Sequence, residues 1–391
     1  MDKRVYFLMI VSFVVGMVEL IIGGILDLIA EDLNVSIGQA GLLITIFSLI
    51  FAIAAPVLLV LTANIERKKL TIISLFIFLL GNIITIFSLT YTVLFIGRII
   101  SALSGSLLII LCLIMAPNIV EARYRGRAIG IVSMGVSGSI VLGIPVGLML
   151  GQSFGWRAPF VLIALLTILS IIGVHFLMGF IEPRPTVPLR NLLSTLKIGK
   201  ILTAQLTTFF FLTGHTVLYA YLTPFVKTTM GIDGTWISIV YLIFGIAAVS
   251  GGGIGGAISD RFGATPTIFI CTILFTFVLL AIPYTTFSIP VFISFLIMWG
   301  ILSWAITPAI QSYLIVTSPE TSDIQQSLNN SALHFGIAFG SFIGSMIIDH
   351  TTVENNASVG AIFVIVSLFM AVFSVKSKIH TSTKANNDTG L

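Results

Sequence analysis

Twelve runs of mostly apolar residues fill this sequence almost end to end, at 5–29, 37–62, 70–89, 93–116, 128–151, 158–180, 200–226, 236–258, 267–285, 288–315, 325–348 and 358–375. A span needs about 20 such residues to cross a hydrocarbon core of roughly 30 Å as a helix. Polar or turn-forming breaks such as "AEDLNVS", "NIERKK", "EARYRGR", "SDRFG" and "SPETSD" separate the runs. Only 9% of the 391 residues are charged, against about 25% in a soluble domain. A soluble fold is thereby excluded. The basic start "MDKR" resembles a signal peptide, but its apolar run is too long for an h-region and no small-x-small cleavage site follows. It reads as the first span. Cys112 and Cys271 both fall inside apolar runs, so no disulfide framework is expected.

The longest break, 181–199, is proline-rich and basic and divides the spans into two sets of six. The expected architecture is an all-α integral membrane protein of twelve transmembrane helices in two pseudo-symmetric six-helix bundles. Residues 1–180 form the N-terminal bundle, 181–199 a cytoplasmic linker, 200–376 the C-terminal bundle and 377–391 a cytoplasmic tail. A faint repeat supports the division. "LTANIERKKL" follows span 2 and "AISDRFGATP" follows span 8, and superposing them pairs Ala63 with Asp260 and Glu66 with Gly263. Parallel repeats of this kind are a transporter feature.

Lys and Arg set the orientation. With the N-terminus inside, the cytoplasmic segments carry Lys3, Arg4, Arg67, Lys68, Lys69, Arg123, Arg125, Arg127, Arg184, Arg190, Lys197, Lys200, Arg261, Lys376, Lys378 and Lys384, sixteen of the nineteen. Arg157 and Lys227 fall outside, and Arg98 falls within a span. Both termini are expected in the cytoplasm, with the basic loops facing anionic lipid. No folded soluble domain exists to carry a nucleic-acid surface.

The loop and span motifs resemble those of the major facilitator superfamily, in its twelve-span drug:proton antiporter branch. "GGAISDRFG" matches the front half of that family's loop signature and "RKK" (67–69) the back half. "GRIISALSG" carries the span-4 arginine and glycine as Arg98 and Gly105. "GSIVLGIPVG" carries the span-5 glycine and proline as Gly143 and Pro145. The first loop departs from the pattern, with Ala63 and Glu66 where Asp and Gly are usual. More narrowly, "VELIIGGIL", "GHTVLYAYLTPF", "WGILSWAITPAIQSYLI" and "SDIQQSLNNSALHFGIAFGS" are similar to bacterial purine base and nucleoside efflux pumps. The resemblance implies a proton-driven antiporter in the bacterial cytoplasmic membrane that needs no cofactor beyond the proton gradient. Its substrate would be a purine base or nucleoside, and a monomer suffices for the mechanism. Broad export of hydrophobic drugs is the alternative.

Glu19 is the most isolated charge, with no charged neighbour within seven residues. A carboxylate in hydrocarbon must be protonated, paired, or set in a water-filled cavity. Counting helical rise, Glu19 lies about 21 Å from the inner edge of span 1, and Arg98 lies roughly 8 Å from the outer start of antiparallel span 4. Their depths match, so a Glu19–Arg98 couple is expected, released when Glu19 takes a proton. A static buried pair fixing helix packing is the bland reading. Asp27, two turns beyond Glu19 on the same face, is a candidate for proton access or gating. Asp349 reads as a solvated cap.

Substrate contacts are expected from the second half. Gln326, Asn330 and His334 stand at i, i+4, i+8 in one stripe. Trp299, Trp304 and Gln311 lie in span 10, with His215 and Tyr219 in span 7. Amides suit the donor–acceptor edge of a purine and aromatic faces suit stacking. Interhelical packing is the bland reading of each. Asp260 and Arg261 are expected to latch the inner ends of spans 8, 9 and 11 in one state, with Asp260 near a helix N-terminus. "GGGIGG" (251–256) and "GIAFGSFIG" (336–344) are expected to mark close helix contacts. No P-loop, metal-ligand or nucleophile pattern is present, so no enzyme activity and no metal site are expected.

Overall fold

The computed structural model describes residues 2–183 and 189–377. The expected tail beyond 377, and Arg184, Lys378 and Lys384, lie outside the described residues. Among the described residues, twelve helices are long and apolar enough to span a membrane. We label them α1 (Lys3–Gly24), α2 (Ile37–Leu61), α3 (Arg67–Ile86), α4 (Tyr91–Met115), α5 (Arg125–Phe154) and α6 (Ala158–Leu177) in the first bundle. The second bundle holds α7 (Gly199–Tyr219), α8 (Thr235–Phe262), α9 (Ala264–Ala281), α10 (Ile289–Thr317), α11 (Ser322–His350) and α12 (Asn355–Lys376). Twelve antiparallel helices put the start of α1, the end of α6, the start of α7 and the end of α12 on one side, here called the terminal side. The opposite side is the far side.

Local chemistry sets several helix starts. Ser36 and Gln39 form a reciprocal capping box that opens α2. Thr90 accepts from the Val93 amide at the start of α4. Glu66 caps α3 by accepting from the amides of Lys68 and Lys69, and it also accepts from the Ile181 amide just past α6. The residue that departs from the family loop therefore ties the first loop to the end of its own bundle. Burial raises the Glu66 pKa, but the backbone donors Ile181, Lys69 and Lys68 outweigh it and hold the carboxyl below its ordinary value.

Two apolar runs that read as single spans are broken. Residues 5–29 divide at Ile25, where α1 ends after Gly23–Gly24 and a short helix, Leu26–Leu33, begins. Residues 200–226 divide likewise, α7 ending at Tyr219 before a short helix, Leu222–Met230. The equivalent breaks repeat across the two halves. Glycine pairs are common sites of such interruption. Asp27 consequently sits beyond the break and not two turns along the same helix as Glu19.

The two halves meet through α2 with α11 and through α5 with α8. Where α5 meets α8, it carries a π-helical turn at Ser139–Gly143 followed by Pro145. Pro145 lacks the N–H that would close the regular ladder. Gly245 of α8 lies flat against this turn, where a β-carbon would come within 2.8 Å of the Ile140 carbonyl oxygen. "GGGIGG" marks a helix contact as expected, with Gly251 and Gly255 set against the backbone of Ile301 and Ala305 on α10. The Gly336, Gly340 and Gly344 steps do the same for α11 on α7. A Gly255→Ala change puts its methyl into the Ala305 backbone. It is expected to cost about 1–3 kcal/mol by overpacking, seen as a lower melting temperature of the purified protein.

Candidate functional site

Between the two bundles lies a cavity of about 240 Å³. Its first-bundle wall is built by Glu19, Leu20 and Gly23 of α1, Ile44 and Ser48 of α2, and Val136 and Ile140 of α5. Its second-bundle wall includes His215 and Tyr219 of α7, Phe244 of α8, Ser303, Trp304 and Thr307 of α10, and Asn330, Leu333 and His334 of α11. The second wall is aromatic and interlocked. His215 stacks on Tyr219 at 5.0 Å between centroids, and Tyr219 packs on Phe244 at 4.7 Å. Behind them Trp299, fully buried, donates its indole N–H to His215 Nδ1 at 3.0 Å. That bond makes Nδ1 an acceptor, so the neutral His215 ring carries its hydrogen on Nε2.

Glu19 and His334 face each other across the cavity, with Oε1 3.1 Å from Nε2. The His334 ring lies flat on Phe51 of α2, centroids 4.3 Å apart and planes 16° apart. Its Nδ1 is 2.8 Å from the Asn330 carbonyl oxygen. Arg98 is fully buried nearby. One guanidinium nitrogen donates to the Val18 carbonyl at 2.8 Å, and the plane lies 4.1 Å from the Phe47 ring centre. Arg98 Nε and Nη2 have no hydrogen-bond partner among the described residues. The expected Glu19–Arg98 pair is therefore not the contact made in this conformation. The depth match holds to within one residue, since Arg98 grips the carbonyl beside Glu19, but the carboxylate itself turns across the cavity.

Bonds that join the bundles concentrate on the far side. Tyr241 donates to the Gly23 carbonyl, Thr223 to the Gly24 carbonyl and Ser341 to the Gly41 carbonyl, all between 3.0 and 3.2 Å. Breaking α1 at Ile25 frees the Gly23 and Gly24 carbonyls for this role. Asp349 is exposed at the end of α11, as expected, and it also joins the bundles: it accepts from Ser36 Oγ at 3.0 Å and from the Gly38 amide at 3.1 Å. Lys227 bridges Asp27 at 2.5 Å and Asp233 at 2.8 Å. Within the first bundle, the indole of Trp156 and then the Arg157 guanidinium bond Asp32 and hold its carboxyl below the usual range.

The Lys227 cluster has a defined pH window. Burial lowers the Lys227 pKa, but Asp233 and Asp27 outweigh it and raise the ammonium above its ordinary 10.5. The same contact holds Asp233 below 3.8. A raised lysine contributes below its unfolded pKa and loses its effect only as pH climbs through the higher folded value. A lowered aspartate contributes above 3.8 and loses its effect only as pH falls through the lower folded value. The Lys227→Met variant is thus expected to weaken far-side closure by the same factor throughout about pH 5–9. Distance measurements between spin labels on the two bundles at several pH values check this.

The family profile described as Major Facilitator Superfamily matches residues 8–341 and 206–389. This chain belongs to the major facilitator superfamily. The superfamily member named "Uncharacterized MFS-type transporter YbcL" of Bacillus subtilis (strain 168) is 34% identical over 375 residues, covering 96% of each chain. "Uncharacterized MFS-type transporter YtbD" of the same organism is 29% identical over 369 residues, covering 93% of each. Among solved structures, the fold matches a bacterial homolog to the human lysosomal transporter Spinster. In its inward-facing and occupied conformation the TM-score is 0.82 at 15% identity, covering 96% of this chain and 97% of that one. In its inward-facing and unoccupied conformation the TM-score is 0.79, also at 15% identity, covering 97% and 99%. The major facilitator fold expected from the motifs is therefore the observed one, and the chain is a membrane transporter and not an enzyme.

This major facilitator gathers Glu19, His215, Tyr219, Trp304, Asn330 and His334 at one cavity. Trp299 stands behind the wall and positions His215 instead of lining the space. Gln311 and Gln326 lie outside the lining, where the Gln326 amide donates to the Gln311 carbonyl at 3.2 Å. Asp260 is exposed in the last turn of α8 and not at a helix N-terminus. In this conformation it makes no ion pair or hydrogen bond among the described residues, and Arg261 lies over Phe262 at 5.2 Å. Gly143 closes the π-helical turn and packs on Met17 of α1. The sequence reading missed Lys227 as Asp27's partner. It also missed a buried network in which Asn329 donates to Gln205 and Thr208, and Gln205 to Gln325. The doublets Gln325–Gln326 and Asn329–Asn330 were the available signal, since a doublet puts amides on two adjacent faces.

Proposed function

We propose that this transporter exports purine bases or nucleosides in exchange for protons by alternating access, from the cytoplasmic membrane of a bacterium, with both termini inside. The carrying observation is a single acidic side chain, Glu19, in the wall of a cavity whose other lining residues are aliphatic and aromatic side chains, two histidines, one amide and a few hydroxyls. The Lys and Arg bias puts the terminal side in the cytoplasm. With that orientation, the far-side seam supports reading this conformation as closed outward.

The cycle follows from that geometry. Outward-open protein takes a proton at Glu19, which releases the carboxylate from Arg98 and lets the far side close. Substrate enters from the cytoplasm, the proton leaves, and Glu19 returns to Arg98 as the far side reopens. Asp27 gates with Lys227. Asp260 and Arg261 act at the cytoplasmic ends of the helices when that side closes, and the Gly143–Pro145 turn is the pivot against α8. One chain encloses the whole cavity, so a monomer suffices, and the proton gradient is the only energy source needed.

A purine fits the lining chemically. The His215 Nε2–H can donate to a ring nitrogen or carbonyl, the Asn330 amide can pair with a donor–acceptor edge, and Tyr219 and Trp304 offer faces for stacking. The many apolar positions, Leu20, Ile44, Ile140, Leu333 and Phe244 among them, favour a second reading, broad export of hydrophobic compounds. Uptake of labelled adenine, guanine, inosine and an organic-cation dye into everted vesicles decides between them. Gradient-dependent uptake of purine but not dye is expected, and dye without purine overturns the substrate assignment. The Trp299→Phe variant, which frees the His215 tautomer, is expected to raise the KM for purine about fivefold to tenfold, the value of one buried hydrogen bond, with maximal rate nearly unchanged.

A further inference from the structure

We propose that Glu19 and His334 share one proton across the cavity and that this proton is the switchable part of far-side closure. The inference rests on the antiport reading and adds a second residue to its proton site. It begins with the His334 tautomer. Nδ1 lies 2.8 Å from the Asn330 carbonyl oxygen, and a carbonyl oxygen only accepts, so Nδ1 carries hydrogen. In a neutral ring, Nε2 is then a bare lone pair. It faces Glu19 Oε1 at 3.1 Å, and an ionised carboxylate also presents only lone pairs. The contact therefore requires one more hydrogen. Placed on Nε2 it makes an imidazolium–carboxylate pair, and placed on Oε1 it makes a neutral pair. In both cases the dyad has bound one proton and carries no net charge.

Losing that proton to cavity water leaves an ionised Glu19 facing a lone pair on neutral His334, and the contact becomes repulsive. His334 cannot follow Glu19 away, because Phe51 stacks on its ring and Asn330 fixes Nδ1. Glu19 has another partner within its own bundle. Arg98 is anchored at the neighbouring Val18 carbonyl and keeps Nε and Nη2 free. Proton release thus exchanges a bond between bundles for a bond within one. The other titratable groups facing the dyad are Arg98 on α4 and His215 and Tyr219 on α7. At this level α2, α5 and α10 contribute Ser48, Ile140, Ser303 and Trp304. His215 is not the carrier, since a proton on its Nδ1 displaces the Trp299 bond.

The test needs no substrate. Leu89 and Phe287 are 85% and 80% exposed on far-side turns, one in each bundle. Spin labels on Leu89→Cys and Phe287→Cys in the reconstituted full chain report far-side separation as pH is raised. The closed-to-open ratio is expected to fall at least about tenfold between pH 5 and 9. In His334→Gln and in Glu19→Gln it should change less than about twofold, because an amide bonds its partner in either protonation state. A flat wild-type response, or a wild-type response kept by either variant, overturns the proposal. Should a variant fail to fold, nitrogen NMR of the histidine-labelled wild type at high pH decides: a neutral His334 ring with hydrogen on Nδ1 and a bare Nε2 upholds the dyad, and hydrogen on Nε2 with a bare Nδ1 overturns it. Absence of purine transport leaves these readouts unchanged, and a flat response leaves export standing.

Discussion

Glu19→Gln is expected to lower proton-driven purine uptake into everted vesicles about a hundredfold. An ionised carboxylate at membrane depth costs about 3 kcal/mol, and every 1.4 kcal/mol is about a factor of ten in population. The amide removes that term from the cycle, so conformational change no longer depends on proton binding. Substrate exchange without a gradient is expected to persist, because the aromatic wall of the second bundle is untouched. Loss of exchange as well as driven uptake would instead mark Glu19 as a substrate ligand. Driven uptake at the wild-type rate removes it from coupling altogether.

Arg98→Leu is expected to abolish transport, again by about a hundredfold or more, while leaving the melting temperature unchanged or raised. Arg98 is a fully buried cation with one carbonyl bond, one aromatic contact and two unsatisfied nitrogens. Replacing such a desolvated charge by an apolar side chain of similar bulk is often neutral or stabilising, by about 1–4 kcal/mol. What the leucine cannot do is receive Glu19 when the carboxylate leaves His334. The variant is therefore expected to rest with its far side closed, in the spin-label experiment as in transport. A melting temperature that falls together with transport indicates a packing role in this conformation. Arg98→Lys, which keeps charge but not the guanidinium fork, is expected to retain partial transport.

Much of this was legible in the sequence because a bilayer makes severe demands. Twelve apolar runs allow little besides twelve helices, and two charges stranded within them, Glu19 and Arg98, marked the site. The partner of Glu19 was not legible, because depth along a straight helix says nothing about which way a side chain turns. Trp299 and Trp304 illustrate the same limit. Five helical positions rotate them about 140° apart, so one lines the cavity and the other lies behind its wall. The amide stripe was assigned to the substrate face at Gln326 and Asn330. The adjacent stripe, Gln325 and Asn329, is the one buried, bonded to Gln205 and Thr208. The breaks at Ile25 and after Tyr219 were hidden because an apolar residue in a turn looks like an apolar residue in a helix. Only the bonds made by the freed carbonyls distinguish them.

Besides Ser36, which donates to Asp349, four hydroxyls of the second bundle cross the seam, on Thr223, Tyr241, Ser331 and Ser341, and each donates to a main-chain oxygen of the first, at Gly24, Gly23, Ala52 and Gly41. Recognition at these points reads backbone shape and ignores side-chain identity. A chimera joining this C-terminal half to the N-terminal half of a distant superfamily member should therefore still dock, provided the donor half interrupts its first helix at the same place.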